Sequence, residues 1–71
     1  MNINLAIKEG SKILKSKFIP NPLLDAEILM AKVLDANREY IILHNNKDLK
    51  KQNFENFKSL IKERAKRKPI A

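Results

Sequence analysis

The stretch NPLLDAEILMAKVL, which runs from Asn21 to Leu34, decides the fold of this chain. Its apolar residues recur at helical spacing and cover most of the helix circumference, which is typical of a helix at the centre of a domain. Asn21 stands where an N-cap belongs, and Pro22 suits the first helical position. We therefore predict a central apolar helix over about residues 22–34.

Glu27 is the unusual residue of this helix, because it lies among leucines rather than with the polar residues. The polar strip of the helix consists of Asp25, Lys32 and Asp35. A buried carboxylate is costly unless it is paired, and arginine binds carboxylates through charge-assisted hydrogen bonds. Arg64 lies on the inner arc of a later predicted helix, so we predict a buried Glu27–Arg64 structural pair. The alternative is that Arg64 extends to solvent and Glu27 caps a local group.

Three further helices flank the central one in the predicted fold. We expect one from about Ile3 to Ser16, a short one from Arg38 to His44, and a long one from about Lys50 to Arg67. The chain has only one glycine and three prolines, too few for the turns of a barrel or sandwich. The sequence thus predicts an all-α fold, a small bundle of four main helices within residues 1–68.

Each flanking helix has an apolar face that we expect to point inward. The inward residues are Ile3, Ala6, Ile7, Gly10, Ile13 and Leu14 in the first helix, Tyr40, Ile41 and Leu43 in the third, and Phe54, Phe57, Leu60, Ile61 and Ala65 in the fourth. Gly10 either lets another helix approach closely or is a tolerated weak point, since a helical glycine costs about 1 kcal/mol relative to alanine. Asp48 is a predicted N-cap for the last helix.

Length and composition limit the class of protein. With 71 residues, 44% of them hydrophobic, the chain suffices for one small domain with a modest core. It has no cysteine, which excludes disulfides and thiolate metal sites. No apolar run approaches the roughly 20 residues that cross a bilayer, and the first residues, MNINLAIKEG, lack the apolar core of a signal peptide. We expect a soluble, cytoplasmic monomer.

The chain is basic, with 15 Lys and Arg against 8 Asp and Glu and a net charge of +7. Such a balance favours an acidic protein or a nucleic acid as partner, although lysine-rich chains are also common where codons are rich in A·T. The candidate partner-binding surface is a basic stripe on the last helix, formed by Lys51, Lys58, Lys62 and Lys66. It lacks interleaved exposed aromatics, which argues against stacking on single strands. The alternative is a solvated face without a partner.

The residues do not suggest catalysis within this chain. A single glycine cannot form a glycine-rich phosphate loop, and there is no histidine pair for a metal. His44, the only histidine, is expected to cap or pack at a helix end. Asp25 and Glu27 are two positions apart on a helix and so point to different sides. We predict no catalytic, cofactor-binding or metal-ligating residue.

Two blocks of residues resemble a known family. The first block is LDAEILMAKVL from Leu24 to Leu34, followed by Arg38-Glu39-Tyr40 and Leu43-His44. The second block consists of Phe57, Leu60, Ile61 and Arg64, followed by Lys68-Pro69-Ile70-Ala71. Their order and spacing are similar to the N-terminal domain of the release factor glutamine methyltransferases, the HemK/PrmC family. Arg67 and Lys68 stand where the family has a glycine and a glutamate.

The resemblance implies a function for a longer protein. That protein would transfer a methyl group from S-adenosylmethionine to the glutamine of the Gly-Gly-Gln motif of peptide-chain release factors. This helical domain would recognise the release factor, and residues 69–71 would begin the linker to the catalytic domain. The S-adenosylmethionine motif and the Asn-Pro-Pro-Tyr active site of the family are absent from these residues. Glu27 would then be an architectural residue rather than a catalytic acid.

Other functions remain open at this point. A small basic helical module that binds nucleic acid is the main alternative, and a purely structural adaptor is a third. The next stretch of the gene would discriminate between them. A glycine-rich motif followed by Asn-Pro-Pro-Tyr would favour the methyltransferase, and a stop codon after Ala71 would favour the nucleic-acid-binding module. If the chain belongs to a methyltransferase, the basic stripe would contact release factors, which are often acidic.

Overall fold

The structure is a computed structural model that describes residues 1–66. Its helices are α1 (Ile3–Ser16), α2 (Pro22–Leu34), α3 (Arg38–Leu43) and α4 (Lys51–Ala65), which confirms the all-α bundle with one short helix. None of the helices in this range is long and apolar enough to cross a membrane. The end of the last helix near Arg67 and the linker at residues 69–71, both predicted from the sequence, fall outside the described range.

Helix α2 lies at the centre of the bundle, as predicted, and packs against all three other helices. Ala26 and Met30 are fully buried on its inner face. The expectation that apolar residues are buried all round the helix is wrong for its first turn, because Leu23 is 53% exposed and Leu24 is 38% exposed. The neighbours of α2 cover its middle and leave part of its N-terminal turn open.

Helices α1 and α4 approach closely at Gly10. A Cβ atom placed on Gly10 would lie 2.8 Å from Cζ of Phe57 and 2.9 Å from Cδ1 of Ile61. These distances are too short for a real contact, so the glycine allows the two helices to meet. Of the two interpretations of Gly10, the structure confirms close approach.

The N-terminal ends of α1 and α4 lie side by side. Asn2 and Asp48 form an isolated antiparallel β-bridge, and the Leu49 amide donates to the carbonyl of Met1 at 2.9 Å. The Asn2 side chain also accepts a hydrogen bond from the Leu5 amide at 2.8 Å, which caps α1. Because both helices start at the same end and touch in their middle, they run in parallel and finish at the opposite end.

The predicted helix caps are correct in part. Asn21 is the N-cap of α2, followed by Pro22, but its side chain makes no capping hydrogen bond. Asp48 does not cap α4, because the bridge to the N-terminus holds it two positions before the N-cap, which is Lys50. Asn37 caps α3, and its side chain accepts from the Tyr40 amide at 2.8 Å.

The inward faces were predicted well for α4 and poorly for α3. Phe57 and Ile61 are 1% exposed, and the other predicted inward residues of α4 pack partly buried against the core. In α3, Ile41 is buried, but Leu43 is 76% exposed and Tyr40 is 38% exposed, so these two predictions are wrong. The six-residue α3 has room to bury one narrow face against α2.

The end of α1 has an unusual residue in a common motif. The Ile19 amide donates to the Leu14 carbonyl at 3.1 Å and the Phe18 amide to the Lys15 carbonyl at 3.0 Å, the bonding pattern of a Schellman motif. The motif needs a left-handed residue, usually glycine, and here that residue is Phe18 with φ of 60°. Its side chain is 82% exposed.

Candidate functional site

Among the described residues, ion pairs connect α2 to α3 and to α4, and neither is the predicted one. Arg64 Nε donates to Asp25 Oδ2 at 3.0 Å, and Arg38 Nη2 donates to Glu27 Oε1 at 3.0 Å. The predicted Glu27–Arg64 pair is therefore wrong. Each predicted residue is paired, but with a different partner.

The geometry of α2 explains why Arg64 pairs with Asp25 and not with Glu27. Successive helical residues are about 100° apart, so Asp25 and Glu27 point roughly 200° apart around the axis. Asp25 faces the last turns of α4, and Glu27 faces the start of α3. The assignment of Asp25 to a polar, solvated strip is also wrong, because Asp25 is only 8% exposed, whereas Lys32 on the same strip is exposed.

The Asp25–Arg64 pair is the more shielded of the two. The side chains of Asp25 and Arg64 are 11% and 22% exposed, whereas those of Glu27 and Arg38 are 19% and 49% exposed. No buried side-chain nitrogen or oxygen atom of residues 1–66 lacks a hydrogen-bond partner. Both pairs join α2 to a neighbouring helix, so their geometry is that of structural contacts.

The basic stripe is exposed along α4. Its residues Lys51, Lys58, Lys62 and Lys66 are all exposed, and the Lys58 ammonium lies 5.4 Å from the centroid of the Phe54 ring. At 1.5 Å per helical residue, the stripe is about 22 Å long. Glu55 and Ser59 lie next to Lys58 and Lys62 along a shallow groove. A role of the stripe in partner binding remains a prediction.

His44 has the packing role that we expected from its position. It follows the last residue of α3, its amide donates to the Tyr40 carbonyl at 2.9 Å, and its ring lies 4.3 Å from the Tyr40 ring. The ammonium of Lys47 lies 5.8 Å from the Tyr40 ring centroid. These contacts use Tyr40 and His44 to support the turn that precedes α4.

Neither a cluster of metal-ligating side chains nor a glycine-rich turn is found within residues 1–66. Within residues 1–66, no three histidine, cysteine or acidic side chains come together in a way that could hold an ion. The only glycine, Gly10, lies inside α1 beneath Phe57, so it cannot open a glycine-rich turn for S-adenosylmethionine.

Sequence reasoning missed three residues that the structure makes prominent. The helical pattern assigns Asp25 to the polar strip, suggests no pairing role for Arg38, and leaves Phe18 between the first two predicted helices without a role. The spacing of Glu27 and Arg38, with one helix end and a short connection between them, is a usable signal for a local pair. We find no sequence signal for the left-handed conformation of Phe18.

Comparisons with known proteins agree on one family. The model of the PrmC N-terminal domain matches residues 6–71. A release factor glutamine methyltransferase from Buchnera aphidicola subsp. Schizaphis graminum (strain Sg) is 37% identical over 71 residues, which cover 100% of this chain and 25% of that relative. The chain thus spans about a quarter of the length of the curated relative. No solved structure gives a significant match.

Proposed function

Because the chain belongs to the family of PrmC N-terminal domains, we propose that it is the substrate-recognition domain of a protein-glutamine methyltransferase. The substrate is the glutamine of the Gly-Gly-Gln motif of a peptide-chain release factor. S-adenosylmethionine supplies the methyl group and binds in a catalytic domain beyond these residues. The observation that carries the proposal is the family match over residues 6–71, joined to the identity with a release factor glutamine methyltransferase.

The arrangement of charges supports a recognition role. The acids that α2 carries at positions 25 and 27 are held in ion pairs, whereas the stripe lysines of α4 are exposed on one side of the bundle. Opposite charges on a partner would steer the encounter and set its orientation more than its final affinity. An acidic surface of a release factor fits this face.

Binding of a release factor tests the role of the stripe. We expect the double substitution Lys58→Gln and Lys62→Gln to weaken binding about three- to tenfold, since each exposed charge pair is worth about 0.2–1 kcal/mol. The salt dependence of the dissociation constant should also become shallower. The matched control is Lys8→Gln with Lys12→Gln, which removes the same charge from exposed positions on α1. Equal effects of the two double variants would remove the stripe from the proposal.

An activity assay tests the function of the whole protein. We expect the full-length protein to methylate a release factor. Deletion of residues 1–66 should raise KM for the release factor, and this effect should be larger than the loss of kcat that the same deletion causes with a short Gly-Gly-Gln peptide. The short peptide is too small to use the helical domain and serves as the control. Absence of methylation of either substrate by the full-length protein would reject the proposed function.

A nucleic-acid-binding module is the second candidate, and the net charge of +7 is the observation that favours it. Fluorescence anisotropy with a labelled duplex and a labelled single strand measures this directly. Binding through lysines would fall steeply with salt. Micromolar binding at physiological salt, together with no binding to a release factor, would favour this candidate over recognition of a protein substrate.

A further inference from the structure

Phe18 has two unfavourable features in the bundle, a left-handed backbone conformation and an exposed aromatic side chain. A bulky side chain with φ of 60° is in a left-handed conformation that L-residues other than glycine seldom adopt. Phe18 is also 82% exposed, the largest exposed fraction among the large hydrophobic residues of the described range. Glycine would complete the same Schellman motif without either cost.

Phe18 lies at the end of the bundle from which the chain continues. Because α1 and α4 run in parallel, the turn after α1 and the end of α4 at Lys66 are at the same end. The pair between Asp25 and Arg64 holds the start of α2 against the last turns of α4 at this end. Leu24, which is 38% exposed, adds apolar area in the first turn of α2.

The family relationship places a further domain beyond that end of the bundle. The family match is to an N-terminal domain, and about three quarters of the curated relative lie outside the matched region. In such a protein the next domain follows the end of the bundle at which Phe18 lies. A tethered neighbour has an effective concentration of the order of millimolar, so a contact much smaller than one between free partners can hold it in place. A second copy of the chain has no such tether and needs about 800 Å² of surface on each partner.

We propose that Phe18 inserts into an apolar pocket of the domain that comes after the bundle, and that it fixes the position of the helical domain on that neighbour. A rigid aromatic side chain suits this role because it buries a large area with few rotatable bonds. With Phe18 in the left-handed conformation, the ring lies outside the core of the bundle and is open to a partner. The inference rests on the proposed function, which supplies a catalytic domain as that neighbour.

Fluorine NMR tests the inference in the full-length protein. A 4-fluorophenylalanine is incorporated at position 18, and the shift between H2O and D2O reports exposure of the ring. The 71-residue chain gives the exposed reference, and the same label at position 43 on α3 is the matched control, since Leu43 is 76% exposed. We expect the label at position 18 to lose most of its solvent isotope shift in the full-length protein, and the label at position 43 to keep it.

A substitution gives a second, independent measurement. Phe18→Ala removes the ring but keeps the left-handed residue, so the urea midpoint of the 71-residue chain should not change. In the full-length protein, the same substitution should increase the rate of proteolysis after Lys66 several-fold, and Leu43→Ala should not. An unchanged proteolysis rate together with a solvent-exposed label at position 18 would overturn the inference.

The outcomes separate this inference from the proposed function. If the label stays exposed while the protein methylates release factors, docking through Phe18 is wrong and the function stands. A label that is protected in a protein without methyltransferase activity supports docking and rejects the function. If the label becomes protected only when a release factor is added, Phe18 binds the substrate, and docking on the adjoining domain is overturned.

Discussion

Neutralising Asp25 should destabilise the domain much more than neutralising Glu27. The substitutions Asp25→Asn and Glu27→Gln are isosteric, and each removes one charge from an ion pair with a nitrogen-to-oxygen distance of 3.0 Å. The pairs differ in burial, since the Asp25 and Arg64 side chains are 11% and 22% exposed and the Arg38 side chain is 49% exposed. Burial therefore decides the size of the two effects.

The magnitudes follow from this difference. Breaking a fully buried pair costs about 3–5 kcal/mol, and an exposed pair contributes about 0.2–1 kcal/mol. The Asp25–Arg64 pair retains some solvent, and asparagine can still accept a hydrogen bond, so we expect a loss of about 2 kcal/mol. For Glu27→Gln we expect about 0.5 kcal/mol. In a domain of this size, 1 kcal/mol shifts Tm by about 4–8 °C.

Urea unfolding of the 71-residue chain, followed by circular dichroism, measures both effects. With m near 1 kcal/mol/M, the midpoint should fall by about 2 M for Asp25→Asn and by about 0.5 M for Glu27→Gln. Double-mutant cycles with Arg64→Gln then isolate the partners, and we expect coupling of about 1–2 kcal/mol with Asp25 and almost none with Glu27. Equal midpoints for the two single variants, or a larger coupling of Arg64 to Glu27, would refute this reasoning.

Three further predictions concern single residues. Gly10→Ala should lower the free energy of unfolding by about 1 kcal/mol in urea unfolding. Overpacking against Phe57 costs roughly 1–3 kcal/mol, which exceeds the gain in helix propensity of about 1 kcal/mol. A higher urea midpoint for this variant would contradict the close approach of the two helices. Asn37→Ala should cost about 1 kcal/mol through loss of a cap, whereas Asn21→Ala, without a capping bond to lose, should be nearly neutral in the same assay. Phe18→Gly should raise Tm of the 71-residue chain by a few degrees, since glycine relieves a left-handed strain of about 1 kcal/mol, and a lower Tm would show that the ring stabilises the bundle.

Sequence periodicity was sufficient for the helices themselves. The bounds predicted for the first two helices agree with α1 and α2, because Asn2 caps the start of α1 and Pro22 occupies the first position of α2. The close contact at Gly10 was one of two interpretations of a glycine inside an apolar stripe. These features depend on local backbone chemistry, which the sequence records directly.

Ion-pair partners and exposure could not be predicted in the same way. Periodicity places Glu27 among apolar residues, but it does not say which neighbouring helix covers each part of α2. Asp25 is buried because α4 ends over it, and Leu43 is exposed because α3 is short and packs only against α2. Both outcomes depend on tertiary arrangement, so the identity of a pair requires coordinates rather than a helical wheel.

The contact between α1 and α4 also bears on the order in which the protein folds during synthesis. Gly10 is covered by Phe57 and Ile61, which lie more than forty positions further along the chain. Closing so long a loop is entropically costly, and contacts of this separation slow folding compared with a bundle of sequential neighbours. On the ribosome, α1 can dock on α2 early, but one apolar face of α1 stays uncovered until α4 has been made. A chain interrupted before α4 would expose that face to chaperones and proteases.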